Sequence, residues 1–333
     1  MDINNIRKIV LDLDINSDER WKVALQDVEI DFNEFRNDMK TMIRSLLADI
    51  SVDIRTAIQN TVKEILASPS ILYDNDSWAE ICSLADIMGI DKSIVLLQNM
   101  VYIIHTQSCA CVSVLYKNND APCILHGLEF QSCSYWRKYA ICCLLKKSDS
   151  VFGSVLFPAL GTISSPEGQV FGKFAVVLNQ RIIGNWNDNY NSLREGNFLP
   201  QLLLRHVVEE TIDYESAVQQ LSNINLIAPC YYSIVGRECH EGKVISRNRS
   251  GCANVNLSLS DHRFLVQANT DHWNKPDSRV TEITELIKES ESLDLPIEDL
   301  CIKSPFITIK SFLTFTSTPK LNTSCLDLVQ STS

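Results

Sequence analysis

The sequence predicts an α+β protein in which helices come first and sheet follows. Three observations carry this. Up to about residue 104, apolar residues recur at helical spacing in successive amphipathic segments. From Cys111 onward, short β-branched and aromatic runs bounded by Gly, Pro, Asn and Asp read as strands. The change of class falls at Cys111, which opens CVSVLYKNNDAPCILHGLEF. That stretch reads as a strand from Cys111 to Tyr116, a polar turn from Lys117 to Pro122 and a returning strand from Cys123 to His126. Gly127 relaxes the backbone before Leu128-Glu129-Phe130. The chain divides into a helical part, residues 1–110, and a sheet-rich part, residues 111–333.

Taken in order, IRKIVLDLDI over residues 6–15 is a strand. Phe35, Met39, Met42, Ile43, Leu46, Leu47 and Ile50 form one face of a first long helix. Ile54, Ile58, Val62, Ile65 and Leu66 mark a second, which Pro69 ends. Asn75-Asp-Ser77 caps a third helix carrying Trp78, Ile81, Leu84 and Ile87, closed by Gly89. Asp91 caps a fourth that runs to about Ile104. Beyond Cys111, strands are expected at Gly153–Pro158 and Gly172–Leu178, then a polar loop at Asn185–Asn191. Helices follow at Phe198–Glu209 and Tyr214–Asn223, and strands at Asn225–Tyr232, Val244–Arg249, Val266 onward, Phe306–Ile309 and Phe312–Thr316.

With 333 residues, 45% of them apolar, the chain can bury a large core. Its 30 basic and 41 acidic residues give a net charge of −11, which argues against a nucleic-acid partner. No run approaches the roughly 18 apolar residues of a membrane span; the most apolar stretch, Ile94–Ile104, is interrupted by Gln98 and Asn99. The start MDINNIRKIVLDLDI lacks a signal-peptide pattern, so a truncated or mature form, or a protein that is not secreted, is expected. Sequons at Asn75, Asn248, Asn256 and Asn322 lean the other way, toward a secretory route. Twelve cysteines are scattered without a Cys-x-x-Cys pair, so neither a zinc site nor any other metal or cofactor is expected. Disulfides and buried thiols remain equally open. His126, His240 and His272 are the histidines able to pair with a cysteine; His126, on a strand before a glycine, reads as structural.

Cys111-Val-Ser113 followed by His126-Gly127 and Leu128-Glu129-Phe130 resembles the acid ceramidase and N-acylethanolamine acid amidase family, where Cys-x-Ser precedes His-Gly-Arg-Asn-x-Asp-Phe. Further matches come in order. Val10–Leu13 with Arg20-Trp21 is similar to the opening of the ceramidase α-subunit. Leu178-Asn-Gln-Arg181 resembles Leu-Asn-Glu-Arg, and Asn225–Tyr232 resembles Leu-Ala-Pro-x-Tyr. Glu241-Gly242 and Val244–Arg249 are similar to Glu-Gly and Val-Ile-Thr-Arg-Asp-Arg, and Gln267–Trp273 to Gln-Thr-Asn-Tyr-Asp-x-Trp. Pro276–Arg279 is similar to the Asp-Asp-Arg that follows. The resemblance spans about residues 9 to 316, with three departures: the arginine-asparagine pair is missing, Glu129 stands for aspartate and Gln180 for glutamate.

The resemblance implies an N-terminal-nucleophile hydrolase, an αββα sandwich preceded by a helical α-subunit that begins as a propeptide. Self-cleavage between Ala110 and Cys111 would give an α chain and a catalytic β chain. Hydrolysing an amide takes a nucleophile, a base and oxyanion donors. Cys111 would attack, and its new α-amine, with an ordinary pKa of about 7.7–8.0, would take the proton. A free thiol ionises near 8.5, so a neighbouring cation is needed. Cys109 is a rival by composition alone. By the resemblance, Asn269 donates to the oxyanion, Arg279 holds the charge network and Glu129 replaces the aspartate that bonds the amine. The implied substrate is ceramide, cut to sphingosine and fatty acid. An N-acylethanolamine is the close alternative, and a non-catalytic lipid-binding relative the other. The implied setting is the lysosome at acid pH, with lipid presented at a membrane surface or by a saposin-like activator.

Overall fold

The structure is a computed structural model that describes residues 6–48, 50–72, 74–101, 111–117, 121–129, 133–253, 256–274, 277–292, 311–321 and 323–328. The expected first strand is β1 (Arg7–Asp12). Helix α1 (Arg20–Leu25) buries Trp21 and Leu25. Helix α2 (Phe32–Ala48) buries Phe35, Met39, Met42, Ile43 and Leu46, the stripe read from the sequence. Helix α3 (Val52–Ala67) buries Ile58, Val62 and Ile65 and stops before Pro69. Helix α4 (Asn75–Met88) ends on Gly89, whose φ of 60° is the left-handed conformation glycine adopts without strain. Its cap is Asp74 rather than Asn75: Asp74 Oδ1 accepts from the Ser77 amide at 2.7 Å. Helix α5 (Lys92–Asn99) starts at the expected Asp91 cap, and the far end of its expected run to Ile104 lies outside the described residues. Asn99 turns inward there, donating to the Gly161 carbonyl at 2.8 Å and accepting from the Ile163 amide at 2.8 Å. Residues 102–110 and the strand expected at 306–309 lie outside the described residues.

The expected hairpin is β2 (Val112–Lys117) and β3 (Pro122–Glu129). Gly127 does not interrupt it, because it pairs with Val112 and the strand runs on to Glu129. Then come α6 (Cys133–Tyr139), β4 (Ile141–Lys147), β5 (Ser150–Phe157), β6 (Glu167–Val170) and β7 (Phe174–Gln180). The polar loop expected at Asn185–Asn191 is instead helix α7 (Trp186–Arg194). Its Asn185 and Asp188 side chains cap it reciprocally, while Trp186, Asn189 and Leu193 face inward. Helices α8 (Pro200–Glu210) and α9 (Tyr214–Asn223) match their expected positions. The chain finishes through β8 (Cys230–Val235), β9 (Gly242–Asn248), β10 (Gly251–Cys252), β11 (Leu257–Ser258), β12 (Phe264–Gln267), helix α10 (Ser278–Ser292), β13 (Ser311–Thr318) and β14 (Thr323–Leu328).

The strands form two sheets. One runs β1-β4-β5-β6-β7-β8-β9-β10, with β11 also on β9; the other runs β12-β2-β3-β13-β14. Strand alternation divides the second sheet cleanly. Cys111, Leu115, Ile124, Leu128 and Phe315 join the main core, while Val112, Val114, Tyr116, Cys123 and Leu125 pack with Ile283 and Ile287 of α10. Helices α8 and α9 pack on the first sheet from β5 to β10, and β2 and β3 contact β7 and β8. The order of layers is therefore helix, sheet, sheet, helix, with the main core between the sheets.

The helical part does not stand apart as an independent unit. Strand β1 is the edge of the larger sheet, paired in parallel with β4 from Arg7↔Ile141 to Asp12↔Lys146. Glu80 of α4 accepts from Arg205 of α8 at 2.7 and 2.8 Å, from Arg20 at 2.8 Å and from the Trp21 indole at 2.9 Å. Eight cysteines among the described residues stand outside disulfides. No helix among the described residues is long and apolar enough to cross a membrane.

Candidate active site

Cys111 sits immediately before β2, wholly buried, on the face that looks across to the larger sheet. Gln267 of β12 pairs with Ser113, so the chain leaving β12 passes beside Cys111 two residues later. There the Cys111 backbone N–H donates to Asn269 Oδ1 at 2.8 Å. Asn269 Nδ2 donates in turn to the Gln180 carbonyl at the end of β7, also at 2.8 Å. A single side-chain amide thus ties the nucleophile candidate to both sheets.

The loop carrying Asn269 is held by groups the motif reading did not single out as functional. Arg181 donates to both oxygens of Asp271, at 2.5 and 3.1 Å, and to Asn248 Oδ1 at 2.7 Å. Tyr231 donates to the same carboxylate, and Trp273 lies 5.1 Å from the Arg181 guanidinium. Burial pushes the Asp271 carboxyl up, but its bonds from Arg181 and Tyr231 outweigh this and hold it below the usual range. The Ile182 amide then donates to the Asn269 carbonyl at 3.3 Å.

Glu129 and Arg279 form a second pair, with Arg279 Nη2 donating to Glu129 Oε1 at 3.0 Å. Arg279 lies in the first turn of α10, a helix the sequence reading left unassigned. Alternation along β3 puts Glu129 on the α10 face with Leu125, whereas Cys111 is on the opposite face. The four candidate residues therefore gather at one end of the smaller sheet as two pairs, Cys111 with Asn269 and Glu129 with Arg279.

His126 is the unexpected neighbour. It shares the inward face with Cys111, and its Nδ1 lies 2.6 Å from Glu167 Oε1 across the sheets, with both side chains essentially without solvent contact. Burial pushes the imidazole pKa down, but the neighbouring Cys111 thiol and the Glu167 carboxylate outweigh it and raise it to about 9. Burial holds the Glu167 carboxyl above its ordinary value against the pull of His126. The structural reading of His126 missed this because Glu167 is 41 residues away, on a short strand whose sequence, EGQV, carries no alternation. A lone acid between apolar strands was the available signal.

Cavities among the described residues lie elsewhere. One of about 220 Å³ is lined by Arg20, Glu80, Arg205 and His206, and one of about 400 Å³ by Ile58, Val62, Leu66 and Leu97; neither is lined by Cys111. No group of three or more His, Cys, Asp or Glu among the described residues is arranged to hold a metal ion.

No family model matches the chain. Individual proteins do. N-acylethanolamine-hydrolyzing acid amidase of Rattus norvegicus is 27% identical over 298 residues, 86% of this chain and 78% of that protein. The Oryctolagus cuniculus protein of the same name is 31% identical over 232 residues, 67% of this chain and 63% of that protein. Acid ceramidase of Heterocephalus glaber is 24% identical over 321 residues, 87% of this chain and 77% of that protein. The chain belongs to the acid ceramidase and N-acylethanolamine acid amidase family. The solved structure of the Caenorhabditis elegans N-acylethanolamine-hydrolyzing acid amidase ortholog superposes with a TM-score of 0.55 at 24% identity, covering 63% of this chain and 93% of that one. That likeness carries the fold, the N-terminal-nucleophile hydrolase sandwich expected from the sequence. Within the family the chain is a hydrolase of linear amides, acting on N-acyl amide bonds.

Proposed function

We propose that this chain cuts itself between Ala110 and Cys111 and then hydrolyses fatty N-acyl amides with Cys111 as an N-terminal nucleophile. The observation that carries this reading is the Cys111 N–H bound to Asn269 Oδ1 at 2.8 Å. After cleavage that nitrogen becomes the α-amine, and the same oxygen holds it beside its own thiol. The amine takes the thiol proton, the sulfur attacks the acyl carbon, and the amine returns the proton to the leaving nitrogen; water then releases the acid. The second N–H of the Asn269 amide serves the developing oxyanion. Glu129 with Arg279 fixes the strand end and its charge.

The substrate we infer is an N-acylethanolamine rather than the ceramide expected from sequence motifs. Support comes from the extent of similarity: 27% identity to the rat N-acylethanolamine-hydrolyzing acid amidase against 24% to the naked mole-rat ceramidase, over comparable spans. The setting proposed is an acid compartment, the lysosome, with lipid presented at a membrane surface or by a saposin-like activator.

The test is a denaturing gel with N-terminal sequencing after incubation at mildly acid pH, beside Cys111→Ala, followed by assay of N-acylethanolamines and ceramide. Two fragments of about one third and two thirds of the mass, with Cys111 at the new N-terminus and no cut in the variant, are expected. One uncut band in both rejects the reading and leaves the lipid-binding relative, a reading favoured by the missing arginine and by Gln180 in place of glutamate.

A further inference from the structure

We propose that His126, backed by Glu167, is a catalytic residue of this chain: a fixed imidazolium beside the Cys111 thiol that supplies the positive charge of the arginine this sequence lacks. This rests on the amidohydrolase reading and adds to it a role for His126, a residue that stands in the matched His-Gly motif but to which the resemblance gives no part in the chemistry.

The geometry begins with register. Ser113 pairs with His126 and Val112 with Gly127, so Cys111 and His126 are diagonal cross-strand neighbours on one face. Such diagonals are about 7–8 Å apart at the backbone, within reach of an imidazole. On the same inward face as His126 comes Leu128, fully buried and apolar, in the stretch where the family's pattern carries arginine. Glu167 reaches His126 from β6 of the facing sheet. With Nδ1 on Glu167, Nε2 is the nitrogen left for the thiol side; it is buried and has no hydrogen-bond partner of its own among the described residues.

An ion pair with no solvent contact is expensive to bury and is weak evidence for stability, so its placement asks for another role. The titratable groups that interact with His126 are Cys111, just ahead of β2, and Glu167 from β6, while Glu167 also acts on Cys142 from β4. The residues paired opposite His126 on β2 and β13, Ser113 and Phe315, are uncharged. An imidazole that titrates near 9 is protonated at acid and neutral pH. It is then a poor base and a good stationary charge. Proton traffic stays with the Cys111 α-amine, as above. The thiol gives its proton to the amine, the thiolate stands against the imidazolium, and His126 keeps its proton throughout the cycle.

The experiment measures Cys111 alkylation by iodoacetamide against pH, read from the mass of the Cys111 peptide, with half-buried Cys82 as internal reference. The peptide is readable whether or not the chain has cut itself, so an uncut chain counts against the proposed function and leaves this pairing testable. In His126→Gln, alkylation of Cys111 at pH 6 is expected to fall at least tenfold and its midpoint to rise by at least one pH unit, with Cys82 unchanged. Glu167→Gln should shift it in the same direction by less. A purely structural role predicts the opposite, faster alkylation through loosened packing. Unchanged or faster Cys111 alkylation in a folded variant overturns the proposal. The reverse measurement needs neither variant: the His126 imidazole resonance of the wild-type chain should titrate at least one pH unit higher than in Cys111→Ser, and equal midpoints overturn it.

Discussion

Asn269 accepts a 2.8 Å hydrogen bond from the Cys111 backbone nitrogen and donates one of equal length to the Gln180 carbonyl. Both partners are buried. Asn269→Ala therefore leaves a donor and an acceptor stranded, at about 1–3 kcal/mol each. Loss of an oxyanion donor adds a rate penalty on the order of 10²–10³. Processing on a gel and urea unfolding should both show the loss. Asn269→Asp keeps the oxygen facing Cys111 and loses the donor to Gln180, so it should process faster than the alanine variant and slower than wild type.

Glu129 and Arg279 meet at 3.0 Å with side-chain exposures of 5% and 18%. Removing the carboxylate in Glu129→Ala should cost about 2 kcal/mol, less than the 3–5 kcal/mol of a fully buried pair because Arg279 retains water. A double-mutant cycle with Arg279→Ala should return a coupling energy of at least about 1 kcal/mol. Strictly additive values would show that the contact contributes nothing.

Glu80 is a buried acid serving two arginines and one indole. Burial pushes its carboxyl up, but Arg205, Trp21 and Arg20 outweigh this and hold it below 4.5. Its folded value is depressed, so its contribution is present above about pH 4.5 and is lost as pH falls through the folded value. Glu80→Ala should lose about 3–5 kcal/mol at pH 6 by urea denaturation. It should also flatten the acid limb of the stability curve.

His126 has the opposite sign. Its folded value of about 9 lies above the ordinary 6.5, so its stabilisation is complete below pH 6.5 and disappears as pH rises to about 9. Wild-type stability should fall across that window in urea unfolding at successive pH values, and the slope should be absent in His126→Gln. An equal slope in both proteins would reject the assignment.

What could be read from the sequence followed local periodicity. The α2 stripe, the β2–β3 hairpin and the Tyr214–Asn223 helix are each legible in their own residues, because burial repeats at the period of the element. Helix α7 was not, because Asn185 and Asp188 are loop residues by composition and helix caps by position. Strand β6 offers four residues with a glycine among them, too few to alternate. At the site, motif resemblance points to Cys111, Glu129, Asn269 and Arg279 as candidates, and the structure sorts them into two contacting pairs. It could not find His126 with Glu167, since that contact depends on how two sheets stack.

The parallel pairing of β1 with β4 has a bearing on what a cut after residue 110 can accomplish. The segment ahead of the cut supplies the outermost ribbon of the larger sheet, and the segment behind it supplies the next. A nicked molecule would thus be two polypeptides woven into one particle, travelling together through a sizing column. If denatured and drawn apart, the longer piece would expose a raw strand edge along β4. Its refolding would depend on the concentration of its mate, so the two halves need to be assembled before they are severed.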